Sequence, residues 1–109
     1  MIEPIGSLSV DVVPQAIIGL PVQDVVGKGA MITGYDDFDF FEGAFFKLNH
    51  EIEIAVRHYR GHPKDTTTIY IDRSKADVET ITRLIRMILK EFHVSENALQ
   101  WERRLNPEL

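Results

Sequence analysis

The stretch from about Lys75 to Phe92 limits the fold more than any other part of this chain. Val78, Ile81, Ile85, Ile88 and Phe92 recur at steps of three and four, with Leu84 and Leu89 widening the stripe. That periodicity predicts an amphipathic helix. Ser74 suits its N-cap, and Asp77 three residues on resembles the partner residue of a capping box. Asp77 and Glu79 fall in the first turns, Arg86 and Lys90 in the last, the order that suits the helix dipole. Glu79 and Arg83 form a favourable i, i+4 pair. A helix apolar along one stripe must bury it, so the rest of the chain has to supply a matching apolar face.

The flanking residues read as strands. Thr66-Thr67-Thr68-Ile69-Tyr70-Ile71 is β-branched and aromatic. Glu51 to His58 alternates, which directs Ile52, Ile54 and Val56 to a core and Glu51, Glu53 and Arg57 to water. Gly61-His62-Pro63-Lys64-Asp65 between them predicts a hairpin with a loop of five or six residues. A rival reading makes residues 41–59 one helix, through Phe41, Phe45, Leu48, Ile52, Ala55 and Tyr59. Gly43 and the alternation from Glu51 onward favour strands. Upstream, Gly27-Lys28-Gly29 separates the apolar runs Pro21–Val26 and Ala30–Tyr35, which suggests a second hairpin or two short strands.

Beyond the helix, Leu99 and Trp101 alternate with Gln100 and Glu102 over residues 98–103, a closing strand with Trp101 in the core. Asn106-Pro107 is expected to end ordered structure. Residues 1–14 are expected to be either a flexible tail or a strand pairing along a sheet edge. The composite is an α+β fold on residues 1–109 as one domain. Hairpins or a meander form an antiparallel sheet, one long helix (about 75–92) covers a face, and a strand closes it. The segment 66–103 also fits a βαβ unit with its two strands parallel.

Charge and composition bound the function. Apolar residues make up 44% and charged residues 27%, ordinary for a folded domain. The absence of cysteine excludes a disulfide framework, a thiolate metal site and a cysteine nucleophile, and fits a cytoplasmic setting. No uncharged stretch is long and unbroken enough to span a bilayer, and Glu3 and Pro4 do not resemble the start of a signal peptide. Net charge is −5, and residues 1–53 carry nine acids against Lys28 and Lys47, a balance of −7. Such a charge disfavours nucleic acid and suits the steering of a basic partner.

Candidate sites are few. Asp36-Asp37-Phe38-Asp39-Phe40-Phe41-Glu42-Gly43 interleaves four carboxylates with three phenylalanines. Phenylalanines occupy the positions where a calcium loop needs oxygen ligands. The segment reads instead as an acidic loop whose phenylalanines plug the core, or as a partner-docking edge formed by Asp36, Asp37, Phe38, Asp39, Phe40 and Glu42. Arg57, His58, Arg60 and His62, with Asp65 nearby, concentrate bases and imidazoles around a turn. Such groups can grip an anion or form an acid–base pair. His58 and His62 have the i, i+4 spacing of zinc ligands, but Gly61 and Pro63 break the helix that spacing requires, so no metal is expected. Gly27-Lys28-Gly29 lacks the spacing of a phosphate loop.

Three functional expectations follow. The first is a non-enzymatic, acidic protein-binding or regulatory module, without cofactor, engaging a basic protein. The second is a small hydrolase or isomerase acting on an anionic substrate through Arg57, His58, Arg60 and His62. The third is a structural homodimer joined by an unpaired strand edge or the Phe38–Phe46 run.

Overall fold

In the computed structural model, residues 1–75 and 77–103 are described. The helix starts later than its stripe suggests. It runs Val78–Glu91 (α2), because Asp77 itself is the N-cap, its carboxylate accepting from the Thr80 amide at 3.0 Å. Ser74 instead donates its amide to Asp72 in the preceding turn. At the other end, His93 takes a positive φ of 58° and Val94 N–H returns to the Leu89 carbonyl, a left-handed C-terminal cap.

Seven strands form one antiparallel sheet among the described residues: β1 (Ile2–Ile5), β2 (Val12–Ile18), β3 (Ile32–Tyr35), β4 (Phe40–Leu48), β5 (Ile52–Tyr59), β6 (Thr67–Asp72) and β7 (Leu99–Glu102). The order is β1-β4-β5-β6-β2-β7. β3 and β1 share the outer edge of β4, against residues 40–43 and 45–48 respectively. Residues 41–59 are therefore two strands, joined through Asn49 and His50, whose positive φ values of 53° and 61° fit a tight hairpin turn.

Three expectations need correction at this level. The run from Pro21 is a short helix, α1 (Val22–Val26), because Val22 and Val25, three apart, are buried together on the sheet. The β5–β6 loop spans seven residues, since Thr66 closes it by donating its hydroxyl to the Pro63 carbonyl and accepting from His58. The first fourteen residues are not a loose tail. β1 does pair along an edge, but β2 runs through the interior of the sheet, and a register shift at Pro14 lets the ring sit where a ladder N–H is missing. The expected end of order at Asn106–Pro107 lies outside the described residues.

β6 and β7 are parallel to each other because each is antiparallel to β2, which lies between them. The βαβ reading thus has the right direction but a wider crossover. α2 buries Ile81, Leu84, Ile85, Ile88 and Leu89 against one face, with Ala16, Ile18, Ile54, Val56, Ile69 and Ile71 opposite. Burying each of the valine, leucine and isoleucine chains among these contributes about 1.5–3 kcal/mol. No helix among the described residues is long and apolar enough to cross a membrane. The other face carries a second, smaller cluster: Phe41, Ala55, Tyr59 and Tyr70, with Leu8, Val12 and Phe45 against it.

Candidate functional site: a groove on the helix-free face

Strand alternation decides what this second face presents. Along β5, residues 52, 54 and 56 point to α2, so Glu53, Ala55, Arg57 and Tyr59 point the opposite way. Glu53 and Arg57 were expected in water, yet they are 6% and 9% exposed. Glu53 is covered by the β1–β2 connection, where Ser9 donates both its amide and its hydroxyl to the carboxylate. Those two donors hold the Glu53 carboxyl below its ordinary range.

Arg57 is enclosed by the register. Gly43 stands directly opposite it on β4, with Phe41 and Phe45 two residues to either side. On β6 Thr68 is opposite and Tyr70 lies on the diagonal. The guanidinium carbon sits 4.5 Å from the Tyr70 ring centroid, 5.5 Å from Phe41, 5.6 Å from Tyr59 and 5.7 Å from Phe45. All four are within cation–π range. Gly43 makes this possible. A methyl group there would lie 2.2 Å from the Val56 carbonyl oxygen and 2.9 Å from Arg57 Cγ.

Asp36 supplies the counter-charge. Its Oδ2 accepts from Arg57 Nη1 at 3.4 Å and from the Tyr59 hydroxyl, and its Oδ1 accepts from the Phe38 amide at 2.9 Å. Partial burial pushes the Asp36 carboxyl up, but the Tyr59 hydroxyl and the Phe38 and Asp39 amides outweigh it, so its pKa lies below the ordinary value. Burial, followed by the bond to Asp36, raises the Tyr59 phenol well above its usual range.

Above this floor lies a groove of about 850 Å³, a size typical of ligand sites. β2 contributes Val13, Pro14 and Ile17, β6 contributes Thr68 and Tyr70, and the ends are marked by Phe38, His62, Arg73 and Trp101. Phe38 is 85% exposed and Trp101 46% exposed. Trp101 was expected in the core. A register shift opposite Ile17–Ile18 inserts Gln100 as an extra residue, so Leu99 packs toward α2 while Trp101 turns to the groove. Glu102 then faces α2, where Arg86 grips it with two hydrogen bonds of 2.9 Å.

The sequence-derived candidates divide accordingly. Arg57, His62, Phe38 and Asp39 line the groove. His62 stacks edge-on against Tyr59, with ring centroids 5.4 Å apart. His58 is turned away, its Nδ1 donating to the Thr66 carbonyl at 2.8 Å. Arg60 is engaged by Asp39 at 2.8 Å and lies over the Phe40 ring. Phe40 and Glu42 follow the strand parity that faces away from the groove, Asp37 is exposed at the β3–β4 turn, and Asp65 is exposed in the β5–β6 loop. The carboxylates of the acidic segment are therefore dispersed, and Asp36 and Asp39 are each met by an arginine. No three His, Asp or Glu side chains gather to hold a metal ion among the described residues.

Tyr70, Arg73 and Trp101 were not foreseen as site residues. Gly43 in an otherwise bulky strand was the available signal for Arg57, because a glycine there marks a close approach by a neighbouring group. No family model, no curated protein and no solved structure matches this chain.

Proposed function

We propose that this chain is a non-enzymatic binding module and that a partner protein docks in the groove on the helix-free face. One observation carries the reading. The groove joins a rigid aromatic floor to two exposed aromatic side chains, Phe38 and Trp101, at its rim. Large exposed rings beside a concave surface are the usual anchors of protein interfaces. The floor is set by strand register, so little ordering entropy is spent when a partner arrives. The net charge of −5 favours encounter with a basic protein, and a cytoplasmic setting belongs to the same reading.

Photo-crosslinking tests it. A benzophenone amino acid replacing Phe38 or Trp101 is expected to crosslink the co-purifying partner, whereas the same group replacing Arg83, exposed on α2, is not. Crosslinking from Arg83 alone would refute the proposal.

A second reading is favoured by the meeting of Arg57, His62 and Asp39 around one groove. Those groups suit a small hydrolase or isomerase acting on an anionic substrate. In that case His62→Gln abolishes turnover of the anionic substrate in a variant that still folds, and turnover retained in that variant contradicts this reading.

A further inference from the structure

The groove belongs to an acidic protein, yet its unspent polar capacity is cationic. Arg57 has Asp36 as its one hydrogen-bond acceptor among the described residues, through Nη1 at 3.4 Å. Its Nε is buried with no acceptor among the described residues. At the groove's end Arg73 is exposed, and no carboxylate among the described residues pairs with its side chain. The acids near the floor are already engaged, Asp36 by Arg57 and Tyr59, Asp39 by Arg60. A buried guanidinium that makes one long bond still has donors to offer, and leaving them unmatched is costly.

We infer that the groove recognises a carboxylate carried next to an aromatic or branched apolar side chain on the docking segment of the partner. This rests on the reading of the groove as the docking surface. The carboxylate sits over the floor, accepting from the outward edge of the Arg57 guanidinium and from Arg73. The apolar neighbour packs on Tyr70 and Trp101. A planar guanidinium matches a carboxylate with two parallel bonds, which makes such a contact both directional and strong. One negative charge suits the site better than two. Asp36 and Asp39 stand close by, and a dianionic phosphate would meet their repulsion. The same local cations explain how a protein with an overall charge of −5 can take an anionic group at one point while its long-range field favours a basic partner.

N-acetylphenylalanine carries the two features in one molecule, and N-acetylphenylalaninamide lacks only the charge. Titrating each into the isotope-labelled full chain, NMR is expected to show the acid shifting the Arg57 Nε–Hε signal and the Thr68 and Tyr70 amides. The amide analogue should bind at least tenfold more weakly. Arg73→Gln, a change at an exposed position that leaves the fold intact, is expected to weaken the acid about threefold to tenfold and the amide not at all. Equal binding of acid and amide overturns the inference and leaves the groove as a docking surface. So does tighter binding of phenyl phosphate than of N-acetylphenylalanine. Absence of any shift at about 10 mM probe overturns it as well. Partner crosslinking from α2 alone instead overturns the docking reading, whatever the probes do.

Discussion

Arg57 occupies a position where a charge is costly. Removing a cation from water costs several kcal/mol even after relaxation. The four rings return about 0.5–2 kcal/mol for each good contact, and Asp36 supplies the opposite charge. Asp36→Asn is therefore expected to destabilise the fold by about 1–2 kcal/mol at neutral pH, read from urea unfolding, because Arg57 would be left with a neutral acceptor. The same group sets acid sensitivity. Asp36 and Glu53 have folded pKa values below their unfolded ones. Their contribution is therefore complete above about pH 4 and is lost as pH falls through the depressed folded values. Tyr59 and Tyr70 are raised, chiefly by burial, so their contribution is complete below about pH 10 and is lost as pH rises beyond it. Thermal melts should show a plateau between these limits. In Asp36→Asn the acid limb becomes shallower, and an unchanged limb would contradict the account of that carboxylate.

Among the elements, β4 and β5 show how a groove is built from alternation. Gly43 gives the Arg57 stem its path, and a side chain there would collide with the Val56 carbonyl, which cannot yield as a flexible side chain could. Gly43→Ala is expected to cost more than about 3 kcal/mol and to give little folded protein, measured by circular dichroism and yield. Gly29→Ala, where an added methyl meets nothing within 4 Å, serves as the neutral control. A stable Gly43→Ala protein would mean that β4 and β5 are not in this register. The element scale also explains what could be read in advance. The α2 stripe was legible because its apolar spacing is strict, and the β5 strand was legible from its alternation. The environment of Glu53 and Arg57 was not, since their cover comes from Ser9, Phe41 and Tyr70, distant in sequence. β2 was missed because Val12 to Ile18 is apolar apart from Gln15 and shows no alternation, and Pro14 cannot donate to a ladder. Trp101 was misplaced by one inserted residue, the shift that reverses every facing after it.

At the scale of the whole molecule, the two faces of the sheet are unequal. One carries α2 and the larger aliphatic core, while the other is only partly closed by residues 6–11 and leaves Phe38 and Trp101 at the edge of an open groove. The acids follow no such division. Glu51 and Asp37 sit in turns at opposite ends of β4, so in the proposed docking charge acts on encounter and the groove on affinity. The most direct test captures a protein with the wild-type chain and compares its affinity for the Phe38→Ser, Trp101→Ser double variant. Both side chains are exposed, so stability should hold within about 1 kcal/mol. The account predicts that affinity falls at least tenfold as two aromatic anchors are lost. Full affinity in a folded double variant would contradict it.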